Sequence, residues 1–241
     1  MKLPRRKFLH LTAGVAALPA ISRIARAQTY PSRPVRLVAG FAPGGGVDIT
    51  ARLIGQWLAE RLGQQFIIEN RPGAGGNIGT EAVVRAAADG YTLVMVGSWN
   101  AINATLYDNL NFNFISDIAP VASVFRYPYV MVVNLSVPAK SVAEFIAYAK
   151  ANPRKLNMAS PGIGSGPHIA GELFKMMTGV EMAHVPYRGA GPSLTDLIGG
   201  QVQVTFESMP ASIAYIRAGT LRALAVTTAR RSEALPDIPT G

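Results

Sequence analysis

The order of local signals along these 241 residues predicts an α/β protein built as two lobes of about equal size. Three observations carry this reading. Apolar, strand-like runs alternate with helix-like stretches from Val35 onward; glycine-rich loops follow strands at 41–48, 70–80 and 160–168; and the second half repeats the grammar of the first. Strand, loop and helix in repeated order favour parallel sheets, and in such sheets ligands sit beyond the carboxyl ends of the strands.

The first strand, 35–39, runs into Phe41-Ala42-Pro43-Gly44-Gly45-Gly46-Val47-Asp48, and a helix follows over 49–62. Pro43 and three glycines force a tight turn and let other backbone approach closely. Asp48 flanks the first turn of the helix, whose free N–H groups point toward the strand end and suit an anion. A strand at 65–69 leads to the second glycine-rich loop, 70–80, then a helix at 81–88 stopped by Asp89-Gly90. A third strand, 93–96, ends in Gly97-Ser98-Trp99-Asn100, again small and polar. A connection over 115–125 precedes a strand at 129–133. Ser141 caps a helix at 142–151, with Glu144 three residues on. A short strand at 156–159 meets the third glycine-rich loop, Ser160 to His168, and a helix at 169–178. A strand at 181–185, a turn at 186–191, a helix at 192–198, a strand at 202–206 ending at Glu207-Ser208, a helix at 209–217 and a strand at 221–227 complete the pattern. Any one glycine-rich loop is explained as a strand-to-helix turn; it is the repetition that points to a site.

The formal net charge of +9 does not indicate nucleic acid. Residues 1–27 hold six basic residues and no acid, so the remainder has 17 basic against 14 acidic residues, a net +3, with no basic stripe interleaved with aromatics. The first segment reads as an export signal: a basic start, an apolar stretch from Phe8 to about Ile21, and Ala25-Arg26-Ala27 before a cleavage expected at Gln28. Pro4-Arg5-Arg6-Lys7-Phe8-Leu9-His10 resembles a twin-arginine signal, with Sec export as the alternative. The apolar run is short for a bilayer span and Pro19 interrupts it. There is no cysteine, which excludes disulfides, thiolate metal sites and cysteine nucleophiles. The mature protein is expected to be soluble and periplasmic.

The motifs exclude more chemistry than they support. Gly73-Ala74-Gly75 and Gly44-Gly45-Gly46 start like dinucleotide fingerprints, but isoleucines stand where the third glycine belongs, and no phosphate-binding G-x-x-x-x-G-K-[ST] loop exists. Gly164-Ser165-Gly166 is not G-x-S-x-G, since Ile163 takes the first glycine's place. His168 and His184 sit in no recognisable triad or metal spacing. What remains binds an anion without reacting with it: backbone N–H groups, neutral hydrogen bonds from Asn77, Ser98, Asn100, Ser160 and Ser165, and Phe41, Trp99 and Tyr187 as ligand contacts or core. Arg188 either pairs with a carboxylate or braces its loop. Glu207 at a strand end is the oddity, because an acid in an anion site serves to accept from a hydroxyl or ammonium, or to reject a second anionic group. No catalytic residue, metal or cofactor is assigned.

Taken together, Phe41 to Asp48, Asn70 to Thr80, Ser160 to Ser165 with His168, Val185-Pro186-Tyr187-Arg188-Gly189, Asp196-Leu197-Ile198-Gly199-Gly200 and Leu235-Pro236-Asp237-Ile238-Pro239-Thr240 occur in an order that resembles the Bug-type receptors of tripartite tricarboxylate transporters. The resemblance covers the mature chain. It implies a type II-like, two-lobed periplasmic-binding-protein fold that closes like a flytrap, no catalysis, and small organic acids as ligands: di- and tricarboxylates, amino acids or aromatic acids. It implies a membrane permease as partner and a monomeric receptor. Carried over from the family, the grip on one carboxylate falls on Gly44, Gly45, Gly46, Asp48, Ala74, Gly75 and Asn77. The other lobe's grip falls on the Ser160 to His168 loop and the turn at Tyr187, Arg188 and Gly189. The family commonly has aspartate at Glu207. It also continues past the last motif, so a missing C-terminal segment and an uncovered apolar face on the first lobe are expected. The domain reading is 1–27 signal, 28–125 with 228–241 as lobe 1, and 126–227 as lobe 2, hinged near Phe125-Arg126 and Thr227. The alternatives are an exported hydrolase or transferase in which Ser165 and His168 hydrogen-bond with an acid behind the histidine, and a ligand-sensing module for a membrane signalling partner.

Overall fold

A computed structural model describes residues 29–241. The export signal expected at 1–27 lies outside them.

Two sheets organise the chain from Arg33 to Gly241. The first has three parallel strands, β1 (Val35–Ala39), β2 (Phe66–Asn70) and β3 (Thr92–Met95), in the order β2-β1-β3. Its helices are α1 (Gly46–Leu62), α2 (Asn77–Val84, entered through a 3₁₀ turn at Ala74–Gly76) and α3 (Ser98–Leu106), followed by the short α4 (Phe114–Asp117). Leu37, Ala39 and Met95 pack with Val47, Ala51, Phe41 and Trp99 to form this core.

The second sheet has five strands in the order β6-β5-β7-β4-β8: β4 (Tyr129–Asn134), β5 (Asn157–Ser160), β6 (Ala183–Pro186), β7 (Val204–Ser208) and β8 (Leu221–Val226). Helices α5 (Val142–Ala151) and α6 (Gly166–Thr178) cover one face, where Phe145, Met158 and Phe206 are buried. Helices α7 (Ala190–Ile198) and α8 (Met209–Arg217) cover the other, with Leu194, Leu197 and Val132.

The structure corrects the sequence reading in three places. The second sheet is mixed, since β4 runs antiparallel to both β7 and β8. This puts the start of β4 beside the end of β7, with Tyr129 opposite Ser208 and Val130 opposite Glu207. The polar stretch at 97–100 is the start of helix α3. The segment 228–241 packs on the second sheet and not on lobe 1: Leu235 and Ile238 join the α7/α8 core, and Val226 N–H donates to Pro239 O at 2.8 Å. Large apolar side chains are exposed on the first sheet and its helices, Leu53 at 65% and Trp57 at 48% on α1 and Ile67 at 49% on β2, and also on α6, where Met176 is 76% exposed.

Candidate functional site

Five helices begin around one cavity of about 40 Å³. Gly45 and Gly46 bring the start of α1, Trp99 that of α3, Ser165 and Gly166 that of α6, Ala190 that of α7 and Ser208 that of α8. The 41–48 and 160–168 loops therefore share a cavity, as the two-lobe reading requires. Each helix start carries unpaired N–H groups and the positive end of the helix dipole, so the convergence favours an anion without any cationic side chain. Among the described residues that line the cavity there is no Lys, Arg or His. Gly45 caps α1 with no side chain, leaving its first turn open. Glycine is needed at position 46 because a Cβ there would lie 2.8 Å from Ser208 Oγ and 3.0 Å from Tyr127 Oη.

Phe41 and Pro161 also line a second, wider cavity of about 350 Å³, shared by Ala74, Gly75, Ile163, Tyr187 and Arg188. Here the loops of the two sheets touch directly. Ala42 N–H donates to Arg188 O at 3.0 Å, and Tyr107 Oη to Ile163 O at 3.2 Å. A Cβ on Gly75 would overlap Ile163 O, and one on Gly189 would lie 2.6 Å from Ala42 N.

Several expected site residues build the loops instead of lining either cavity. Asp48 is 3% exposed and its carboxylate accepts from Gly44 N–H (3.0 Å), Arg52 Nη2 (2.9 Å) and Asn70 Nδ2 (2.9 Å). Burial pushes this carboxyl up, but the hydrogen bonds outweigh it and hold the group below its ordinary range. Gly44 is thus spoken for by Asp48. Asn77 is buried; its Oδ1 accepts from Asn103 Nδ2 at 3.0 Å, while its own Nδ2 has no partner among the described residues. Asn100 caps Gly97 N–H and donates to Thr80 Oγ1. Ser98 hydrogen-bonds Tyr129. Tyr187, which does line the wider cavity, donates to Asp196 Oδ2 at 2.6 Å, and its phenol is pushed up to about 12 by burial and by that carboxylate.

Ser160 Oγ is 2.7 Å from His184 Nε2 and also takes Gly162 N–H, bracing the third loop from behind. Ser165 Oγ donates to Gly162 O at 2.6 Å and accepts from His168 N–H at 3.3 Å as the cap of α6. His168 Nδ1 faces Gly164 N–H, and its Nε2 is 4.0 Å from Glu172. The nucleophile–base pair required by the hydrolase alternative is therefore not formed: the hydroxyl is committed to the cap and the ring to the loop. The rings of His168 and His184 pack at 4.3 Å, tilted by 31°; burial and then His168 push His184 down to about 4.

Three contributors escaped the sequence reading. Tyr127 and Tyr129 line the first cavity because β4 is antiparallel, which no local signal announces. Asn103 is fully buried, donates to Gly75 O at 3.0 Å as well as to Asn77, and sits against Gly164. Its spacing of three from Asn100 on one helix is the signal that marks a shared polar face.

Among the described residues Glu207 is the one carboxylate lining the first cavity, and it is 1% exposed. Its Oε1 accepts from Ser208 N–H (2.7 Å) and Oγ (2.9 Å), whereas Oε2 has no partner among the described residues. Burial, only partly offset by Ser208, pushes the carboxyl up to about 7.

The sequence profile for "Tripartite tricarboxylate transporter family receptor" matches residues 50–241. Protein BugT of Bordetella pertussis is 40% identical over 231 residues, which is 95% of this chain and 69% of that protein. Among solved structures, R. palustris Rpa4515 with adipate aligns at 42% identity and a TM-score of 0.85, covering 88% of this chain and 71% of that one. MatC from Rhodopseudomonas palustris with bound malate aligns at 33% identity and 0.82, covering 88% and 72%.

Proposed function

The chain belongs to the tripartite tricarboxylate transporter family of receptors, and we propose that it is an exported receptor that encloses a small carboxylate between its two lobes and presents it to a membrane permease. The observation that carries this reading is the cavity at which five helix N-termini from both sheets converge. Adipate in Rpa4515 and malate in MatC support a small organic acid as the ligand here. The first-turn N–H groups at Gly45, Gly46 and Gly166 are the donors it offers, with Phe41 and Trp99 against the carbon frame. Asp48, Asn77, Asn100 and Ser160 brace the loops around the cavity through Gly44, Asn103, Gly97 and Gly162.

A cavity of about 40 Å³ has room for only a few water molecules, so a six-carbon diacid needs the lobes to part first. Capture then proceeds by hinge closure, stabilised by a ligand that touches both lobes. The hinge is placed near Phe125-Arg126 and Thr227, and the mature receptor is monomeric and periplasmic, beginning at Gln28. Isothermal titration of the purified protein against adipate, malate and a wider carboxylate panel tests the reading. Saturable binding of at least one carboxylate is expected; binding of none rejects it.

A further inference from the structure

We propose that Glu207 takes up one proton from solution when a carboxylate anion is enclosed, so that the cleft binds its ligand as an acid–anion pair and Glu207 is the residue that sets the charge it accepts. This rests on the carboxylate-receptor reading above. It follows from an imbalance in the cavity. Among the described residues the lining offers helix N-termini, hydroxyls and aromatic rings but no cationic side chain, and an ionised Glu207 already supplies one negative charge. A ligand carboxylate brought into so small a space meets that charge with no cationic side chain between the two. Two carboxylates sharing such a site do not both stay ionised; one holds a proton and donates it to the other. Oε2 is the free oxygen, since Oε1 is held by Ser208, and it is Oε2–H that would donate to the incoming anion.

The groups around Glu207 leave this proton as the available remedy. The phenols of Tyr127 and Tyr129, leading into and starting β4, are its titratable neighbours; both are raised by burial and by Glu207, and so stay neutral. On α1, Asp48 and Arg52 neutralise each other away from the lining. On α6, His168, Glu172 and Lys175 form their own cluster, also outside it. On α7, Asp196 is bonded to Tyr187. Helices α3 and α8 line the cavity with Trp99 and Ser208, which do not titrate. Burial, only partly offset by the Ser208 hydrogen bonds, has already brought the Glu207 carboxyl to about 7, which places the proton within reach at neutral pH.

In balance, one ligand anion and one solvent proton enter together. Affinity is therefore full below the pKa of Glu207 in the free protein and falls as pH rises through it. Titration of the full chain with adipate and with malate between pH 6.5 and 9, in buffers of contrasting ionisation enthalpy, tests this. Above pH 8 the expected result is a dissociation constant rising about tenfold per pH unit, with uptake approaching one proton per ligand. Glu207→Gln is expected to bind the same probe with a pH-independent constant and no uptake. Wild-type binding with no uptake and a flat pH profile would overturn the proposal and leave Glu207 as an acceptor for a ligand ammonium or hydroxyl. The wild-type uptake decides the matter alone if the variant does not fold. Absence of binding at every pH is a separate outcome that removes the receptor reading and this inference with it.

Discussion

Asp48 does for the first glycine-rich loop what a bound anion would do for an empty one. Its two oxygens gather Gly44 N–H, Arg52 and Asn70, so the loop is folded before any ligand arrives. The sequence made an acid at a helix start visible, but not its partners: Arg52 on the next turn, and Asn70, which reaches back from another strand to donate to both Asp48 Oδ1 and Phe41 O. That is why Asp48 read as a ligand contact and stands instead as a loop brace. Asp48→Asn should cost about 1–3 kcal/mol in urea denaturation at pH 7, toward the low end because Arg52 is half exposed. The folded-state carboxyl lies below its ordinary value. Its stabilisation is thus present above the unfolded pKa of about 4 and lost as pH falls through the lower folded value. The gap between wild type and variant should close under those acid conditions; a gap that persists there would locate the effect elsewhere.

At the scale of elements, the glycine-rich loops and most strands were legible because each leaves a local mark: an apolar run, then residues that tolerate tight turns. Helix starts were less so. The α6 helix begins at Gly166, ahead of the expected 169, because Pro167 suits the first turn and Ser165 caps it. Strand direction leaves no local mark at all, and with the direction of β4 went the placement of Tyr127 and Tyr129. Gly164 shows how two elements are fitted to each other. Its φ of +81° suits glycine, and a Cβ there would overlap the Asn103 amide of α3. Gly164→Ala should lower stability by about 1–3 kcal/mol, from backbone strain and displacement of a buried amide. Asn103→Ala should cost a similar amount, by stranding Gly75 O and Asn77 Oδ1. Chemical denaturation of both singles and the double variant checks this: contact between the sites predicts a double-mutant loss smaller than the sum.

For the whole molecule the decisive surface is the seam where loops from the two sheets meet. Ala42 N–H to Arg188 O is a backbone bond across that seam, and Gly189, with φ at +157°, permits it because no side chain intervenes. A methyl at 189 would sit 2.6 Å from Ala42 N, so the two loops must separate to accommodate it. The Met158 cluster has no residue at the seam, and of the Leu37 cluster Phe41 adjoins it while Leu37, Ala39 and Met95 stay on the strands. Gly189→Ala should therefore shift the population toward an open form while leaving the urea midpoint nearly unchanged. Small-angle scattering should report a larger radius of gyration without ligand. Carboxylate affinity should fall tenfold or more, because part of the ligand's binding energy is then spent on forcing closure. Wild-type protein at a hundredfold excess over its dissociation constant should gain about 2.7 kcal/mol of stability from the ligand, and the variant correspondingly less at the same concentration. Equal radii and equal affinities would mean that closure does not run through this contact, and that the helix starts around the smaller cavity hold the lobes together by themselves.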